Sequence, residues 1–339
     1  MKSLTYEEVI ELVESVGEKS FRGTQLYQWI HQKLAKSYED MTNLSKGFRK
    51  RLQEITTYTT IRAIRIQESK VDHTKKFLFA LEDGNVVESV WMKYKHGNSV
   101  CISSQIGCRM GCKFCASTLE GLERSLTTSE MLEQIYEITR ITGERVSNVV
   151  VMGMGEPFDN YEALIRFITL LTNERGLHIS QRNLTISTCG IVPKIRQLAE
   201  EELQVTLALS LHATTDEKRK AFMPIADAYS LEETMEACDY YFHKTKRRIT
   251  FEYSLVRNVN DREEDARELI GLVKGRNCHV NLIPVNPVKE CGFEQSYEKE
   301  ITNFKNKLEK NGINVTIRRE MGRDIDGACG QLRRREMKG

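Results

Sequence analysis

Three thiols stand within eight residues, at Cys108, Cys112 and Cys115 of Cys-Arg-Met-Gly-Cys-Lys-Phe-Cys. Thiolates so closely spaced suit a soft metal centre, and the iron of iron–sulfur clusters prefers them. Three ligands on a four-iron cluster leave one iron open, where a small molecule can bind and receive an electron. The competing assignment is a zinc site with Cys101 as fourth ligand. Zinc motifs usually come as two short pairs separated by a longer loop, which this spacing is not.

The elements that would carry this loop alternate. Short β-branched runs recur at 98–103, 147–152, 184–188, 205–210, 249–255, 279–283 and 313–317. Between them lie helical patterns at 128–142, 160–173, 192–202, 230–244, 261–274 and 297–311. Such alternation predicts right-handed βαβ units and a parallel sheet. The fold class is α/β: six or seven repeats predict a full or partial parallel (βα) barrel, with a doubly wound open sheet as the alternative. Upstream, 5–16, 22–34 and 42–52 carry apolar residues at helical spacing, the last started by Thr42 or Asn43 as a cap. The stretches 59–70 and 75–92 alternate in strand fashion around Asp83-Gly84-Asn85. The expected organisation is a small, mainly helical accessory domain over 1–80 and a catalytic domain over 81–339.

The Cys-x3-Cys-x2-Cys spacing, with Phe114 before the last cysteine and a place just after the first strand, resembles the signature of the radical S-adenosylmethionine superfamily. In parallel βα folds, ligands sit beyond the carboxyl ends of the strands. Polar residues recur there: Gly155 and Glu156 after the second strand, Ser187 ending the third, Ser210, Leu211 and His212 at the fourth, and Asn286 after the sixth. Each alone reads as a turn, a helix cap or a core histidine. Together they make a cradle for the methionine, ribose and adenine of S-adenosylmethionine, with Glu156 accepting from its ammonium group. Cys101, on the first strand, and Cys329, in a short loop-like stretch near the end, are conspicuous too. Cys189, Cys238, Cys278 and Cys291 read as structural.

Composition bounds the partners. A chain of 339 residues can bury a sizeable core without disulfides. Its formal charge of +2 is too balanced to announce a nucleic-acid binder. Basic clusters at Lys46/Arg49/Lys50/Arg51, Lys244/Lys246/Arg247/Arg248 and Arg333/Arg334/Arg335 read singly as solvated faces. No signal-type segment opens the chain, and no apolar run approaches the ~20 residues of a membrane span. The expectation is a cytoplasmic protein, free of membrane, whose nine cysteines are ligands, reactive thiols or buried bystanders.

Longer stretches sharpen the resemblance. Cys101-Ile-Ser-Ser-Gln-Ile-Gly-Cys108, Met152-Gly-Met-Gly-Glu-Pro157, Ser210-Leu-His-Ala213 and Asp324-Ile-Asp-Gly-Ala-Cys-Gly-Gln-Leu332 resemble the bacterial dual-specificity 23S rRNA/tRNA adenine-C2 methyltransferases of the RlmN/Cfr family. The one departure is Gly327, where the family more often has alanine. The resemblance implies a [4Fe–4S] cluster on Cys108, Cys112 and Cys115, two S-adenosylmethionine molecules per turnover, and the strand-end residues above as S-adenosylmethionine contacts. It implies as substrates adenosine 2503 of 23S rRNA and adenosine 37 of tRNA, a reductant such as flavodoxin, and a monomer. It also implies that Cys329 is methylated and carries a methylene radical to carbon 2. Cys101 then releases the RNA by forming a Cys101–Cys329 disulfide. Glu88 matches the family's proposed proton acceptor; Glu88 and Cys101 both stay open as the base. An RNA substrate suggests that Lys46–Arg51 touches its backbone. Two rival readings are a carbon-8 methyltransferase, which shares both extra cysteines, and a non-enzymatic iron–sulfur redox sensor that binds RNA. Pro157-Phe-Asp-Asn-Tyr161 resembles the carbon-2 group, and a sensor needs neither the cradle nor Cys329.

Overall fold

The computed structural model describes residues 1–285 and 292–325. Asn286, Cys291, Cys329 and the third basic cluster therefore lie outside the described residues. Ahead of the alternating region come α1 (Tyr6–Ser15), α2 (Ser20–His31) and α3 (Lys46–Ile55), then β1 (Arg62–Glu68), β2 (Lys75–Ala80), β3 (Val86–Tyr94) and β4 (Gly97–Cys101). A small antiparallel pair, β5 (Gln105–Gly107) and β6 (Leu122–Ser125), precedes α4 (Thr128–Thr142). The chain continues as β7 (Val146–Val151), α5 (Tyr161–Thr172), β8 (Leu184–Thr188), α6 (Val192–Glu200), β9 (Thr206–Ser210), α7 (Asp216–Phe222) and α8 (Leu231–Thr245). It closes with β10 (Ile249–Leu255), α9 (Glu263–Val273), β11 (Cys278–Pro284), α10 (Glu298–Lys310) and β12 (Val315–Ile317).

Ten strands form one sheet in the order β1-β2-β3-β4-β7-β8-β9-β10-β11-β12. From β4 to β12 every neighbouring pair is parallel. A doubly wound sheet needs a reversal of strand order, and there is none here. Right-handed crossovers that all wind one way keep the helices on one side and curl the sheet into a partial barrel. Its edges, β1 and β12, are not paired with each other.

Alternation within the strands separates the two faces. Phe77, Phe79, Val87, Val100, Val149, Ile186, Leu207, Leu209, Phe251 and Tyr253 join Met131, Leu132, Ile135, Leu164 and Phe167 of the helices in one core. The opposite, inner face carries Lys76, Glu88, Cys101, Ser187, Ser210, Glu252 and Asn281 at the intervening positions. α7 escaped the sequence reading because Asp-Glu-Lys-Arg-Lys-Ala-Phe has no apolar period to betray a helix. The cap of α3 is Ser45, not Thr42 or Asn43; its hydroxyl accepts from the Phe48 amide at 3.2 Å.

The N-terminal helices dock on α4. Every residue from Thr128 to Ile138 is buried, since the sheet covers one side of α4 and the helical unit another. The fully buried Lys2 Nζ lies 2.6 Å from Glu133 Oε1, and Arg140 takes the other carboxylate oxygen at 2.7 Å. His31 Nδ1 meets the Tyr136 hydroxyl at 2.7 Å. The division expected near residue 80 falls inside a continuous ladder, because β2 pairs with β3 from Lys75–Trp91 to Ala80–Val86. The helical part ends at Ile55, and β1 and β2 extend the main sheet; alternation marks a strand but not the sheet it joins. No helix of the described residues is long and apolar enough to cross a membrane.

Candidate active site

The cysteine loop hangs between β5 and β6 rather than following β4 directly. Its neck is set by Gly107, at φ +76°, where a Cβ would stand 1.9 Å from the Gly121 carbonyl oxygen. Cys108 N donates to that same oxygen at 2.9 Å. Inside the loop, Cys115 N donates to Cys112 O at 3.1 Å, and the Thr118 hydroxyl bonds both carbonyls, at 3.0 and 2.9 Å. Lys113 N donates to Phe222 O at 2.9 Å, tying the loop to the end of α7. Cys108 and Cys112 are buried and Cys115 is half-buried.

Of the residues expected to form the cradle, Gly155, Glu156, Ser187, Ser210, Leu211 and His212 are described, all at strand ends, and His212 touches the cysteine loop. Gly155 (φ +101°) presses against Gln105, whose Cβ would be 2.5 Å from an added side chain. Next to it Glu156 N donates to Gln105 Oε1 at 2.8 Å. The Glu156 carboxylate accepts from Phe158 N at 3.0 Å and Cys189 N at 2.8 Å. Burial raises its pKa above the usual range, and those hydrogen bonds oppose the rise.

Ser187 and Ser210 meet at 3.5 Å between hydroxyls, on neighbouring strands. Leu211 is fully buried, its amide bonded to Glu252 O at 3.0 Å. His212 sits at φ +53°, buried, with its ring against Phe114 of the cysteine loop at 4.9 Å. Burial lowers its pKa to about 3, so the ring is neutral. Ser254 N donates to its Nδ1 at 3.0 Å, which assigns the proton to Nε2.

Buried thiols at Cys108 and Cys112 are pushed up, Cys108 to about 12, chiefly by desolvation. Such thiols ionise when a metal binds them. Among the described residues no three His, Cys, Asp or Glu side chains close on a single ion. A four-iron cluster asks for a different arrangement, each thiolate on its own iron. Arg219 adds an independent sign of fit. It is fully buried, and its Nη2 donates to Cys189 O at 2.6 Å, while Nε and Nη1 find no partner among the described residues. Cys189, Cys112 and Cys238 act electrostatically on this cation, and an anionic thiolate-ligated cluster on the neighbouring loop would supply the compensating charge that a buried ion requires.

Sequence reasoning missed several groups on the inner face. Glu252 lies in register between Ser210 and Asn281, and Asn281 Nδ2 donates to its carboxylate at 2.9 Å. Cys189, read as structural, presents its amide to Glu156. Lys76 lies 3.0 Å from Glu88, both buried. The available signal was a charged residue at a period-two position of an otherwise apolar strand, as in Ile-Thr-Phe-Glu-Tyr-Ser-Leu. The basic segment of α3 is largely occupied: Arg51 pairs with Glu18, Lys50 with Glu54 at 3.9 Å, and Arg49 bonds Glu39 O at 2.7 Å.

A partial barrel with a three-cysteine loop and a polar cradle at its strand ends defines a radical S-adenosylmethionine enzyme, and the model of that superfamily matches residues 102–270. Residues 1–57 match the ribosomal RNA large subunit methyltransferase N-terminal domain. The chain is 64% identical over 337 residues to a probable dual-specificity RNA methyltransferase RlmN of Lachnospira eligens, covering 99% of this chain and 96% of that one. It is 59% identical to the same-named protein of Lachnoclostridium phytofermentans, covering 98% and 94%. A crystal structure of a radical SAM methyltransferase from Sphaerobacter thermophilus superposes with a TM-score of 0.94 at 40% identity, over 98% of each chain. The chain belongs to the RlmN family of radical S-adenosylmethionine RNA methyltransferases, a class that works with an iron–sulfur cluster and S-adenosylmethionine.

Proposed function

We propose that this protein methylates carbon 2 of adenine, at adenosine 2503 of 23S rRNA and adenosine 37 of tRNA. Cys329 carries the incoming carbon, Cys101 resolves the product, and Glu88 is the base. What supports this reading is the placement of Cys101 opposite Val90 on adjoining strands, with Glu88 two residues along the same inner face. A thiol and a carboxylate thus share one wall of the barrel, and both are buried.

Carbon 2 lies between two ring nitrogens and is not nucleophilic, so an ordinary methyl displacement fails. A [4Fe–4S] cluster held by Cys108, Cys112 and Cys115 would supply, together with S-adenosylmethionine, the radical chemistry that carbon 2 needs. Glu156, Ser187, Ser210, Leu211, His212 and Asn286 hold and orient the cofactor. The Cys329 thiolate is methylated first, from a separate S-adenosylmethionine, since thiolate is the competent nucleophile. Methylated Cys329 would give up a hydrogen atom in that chemistry, its methylene carbon would add to carbon 2, and the odd electron of the adduct would pass back to the cluster. Glu88 then accepts the carbon-2 proton. Cys101 thiolate attacks the Cys329 sulfur, forming the S–S bond as the S–C bond breaks, and the released methylene carbon takes a proton from solvent to complete the methyl group and free the RNA. The target base must leave its stack to reach this wall.

Anaerobic turnover with the cysteine variants tests the scheme. Cys329→Ala should give no methylated RNA, and Cys101→Ala should accumulate a covalent RNA–protein adduct. Free methylated RNA from Cys101→Ala at the normal rate refutes the role of Cys101. Mass spectrometry should find 2-methyladenosine; 8-methyladenosine as the main product overturns the carbon assignment.

A further inference from the structure

The ten-stranded sheet has two edges, β1 and β12, that are not paired with each other. The chain itself crosses that gap. Beyond β12, Arg318 N donates to Leu282 O of β11 at 2.8 Å, and Gln295 Nε2 donates to Glu320 Oε1 at 3.3 Å. Met321 then packs against the cluster of Val90, Met92 and Cys101 on the inner face of β3 and β4. Gly322 N donates to Asp72 Oδ2 at 2.9 Å, in the turn between β1 and β2. In the same turn, the Asp324 carboxylate accepts from the Ser69 hydroxyl at 2.5 Å and from Lys70 N at 2.8 Å. Residues 318–325 thus form a strap from one edge of the sheet to the other, by way of the wall that holds Cys101.

The turn is shaped to receive this strap. Ser69 is fully buried, although Val71, two residues on, is 74% exposed. The Ser69 hydroxyl oxygen accepts from Val71 N at 3.1 Å and Asp72 N at 3.2 Å, and Asp72 Oδ1 accepts from Thr74 N at 3.0 Å. These bonds fix the turn from within and leave the Ser69 proton, Lys70 N and Asp72 Oδ2 to the strap. The hairpin does not need the strap for its own pairing, since β1 and β2 are matched from Arg62–Ala80 to Glu68–Lys75. Both aspartates accept backbone amides, so the junction is made of directional, charge-assisted hydrogen bonds. The Ser69 hydroxyl and the Lys70 amide hold the Asp324 carboxyl below its usual range.

We propose that Asp72 and Asp324 are positioning residues for Cys329: by docking the strap on the β1–β2 turn they fix the point from which the carbon-carrying thiol is delivered. This deepens the reading of Cys329 as carbon carrier and rests on it. Five residues separate Asp324 from Cys329, a stretch that spans at most about 17 Å. A docked strap confines the Cys329 sulfur to that radius, whereas a strap released from the turn lets it sample a much larger volume. The two aspartates contribute no atom to the reaction; they supply proximity.

The test uses the full chain with Asp72→Ala, Asp324→Ala, the double variant and the conservative Asp324→Asn. Amide hydrogen exchange should quicken in 69–74 and 318–325 of the double variant, while iron content and S-adenosylmethionine affinity stay parental. In anaerobic turnover, methylated RNA formed per 5′-deoxyadenosine should fall at least about tenfold in the double variant, because S-adenosylmethionine is still cleaved while the Cys329 carbon is out of place. Asp324→Asn, which keeps one acceptor oxygen, should lose less. A merely structural loss would lower iron content, 5′-deoxyadenosine and methylated RNA together and leave their ratio alone. If the double variant does not fold, Ser69→Ala, which removes one bond of the same junction, carries the same expectations. Faster exchange with the parental product ratio overturns the proposal, and so does parental exchange in the double variant; both leave Cys329 as carrier. Cys329→Ala that still methylates RNA removes the carrier reading, and this proposal with it.

Discussion

Gly107→Ala puts a methyl group where the neck of the cysteine loop leaves no room for one. Two effects act at once. The residue sits at φ +76°, a region that costs an alanine about 1–2 kcal/mol. The new methyl would also lie 1.9 Å from Gly121 O, well inside contact distance, and the neighbour is backbone that cannot rotate away. Relief requires the neck of the cysteine loop to open, which breaks the Cys108 N to Gly121 O bond, worth about 0.5–1.5 kcal/mol. Together they come to about 1.5–3.5 kcal/mol. With an unfolding entropy of about 0.7 kcal/mol/K for a chain this long, the Tm should fall by about 2–5 °C. The second assay is iron content after anaerobic reconstitution, because the displaced strand carries Cys108. We expect substoichiometric iron, with Gly121→Ala, where nothing lies within 4 Å of an added Cβ, losing less. A Gly107→Ala protein with parental Tm and full iron loading would refute the claim that this close approach shapes the loop.

Two further outcomes concern stability. His31 and His212 are both held near pKa 3 by burial. Their depressed values mean that the unfolded chain binds more protons below about pH 6.5, so stability is complete above that pH and lost on the way down to 3. Each should cost about 1.6 kcal/mol between pH 6.5 and 5, measured by urea unfolding, and His31→Gln should remove about half of the dependence. An unchanged dependence in that variant would count against His31 as a buried neutral group. Lys2→Met should cost about 1–3 kcal/mol, less than the ~3–5 kcal/mol of a fully orphaned charge, because Arg140 still holds Glu133. Faster hydrogen exchange in α1 and α2 is the expected signature; unchanged exchange would show that Lys2 does not fasten them.

The three-cysteine loop was legible from the chain alone because its ligands lie within one turn-rich segment, where spacing and geometry are nearly the same thing. The parallel strands and most helices were legible for a related reason: period two and period 3.6 are local properties. The strand-end placement of Gly155, Glu156, Ser187, Ser210, Leu211 and His212 followed once the strands were counted, since βα topology orders the strand ends. Other features required the folded chain. The Lys76–Glu88 pair depends on the register of β2 against β3, and a slip of one residue would point either side chain at the helices instead. Glu252 and Asn281 meet for the same reason across β10 and β11. Arg219 was hidden twice over: its helix has no apolar period, and its partner is a carbonyl 30 residues away at Cys189. Even the reach of the helical unit, which stops at Ile55 while β1 and β2 join the catalytic sheet, is a matter of which edge accepts the strands. Hydrogen bonds between distant segments decide that, and no short stretch of sequence contains both halves of such a bond.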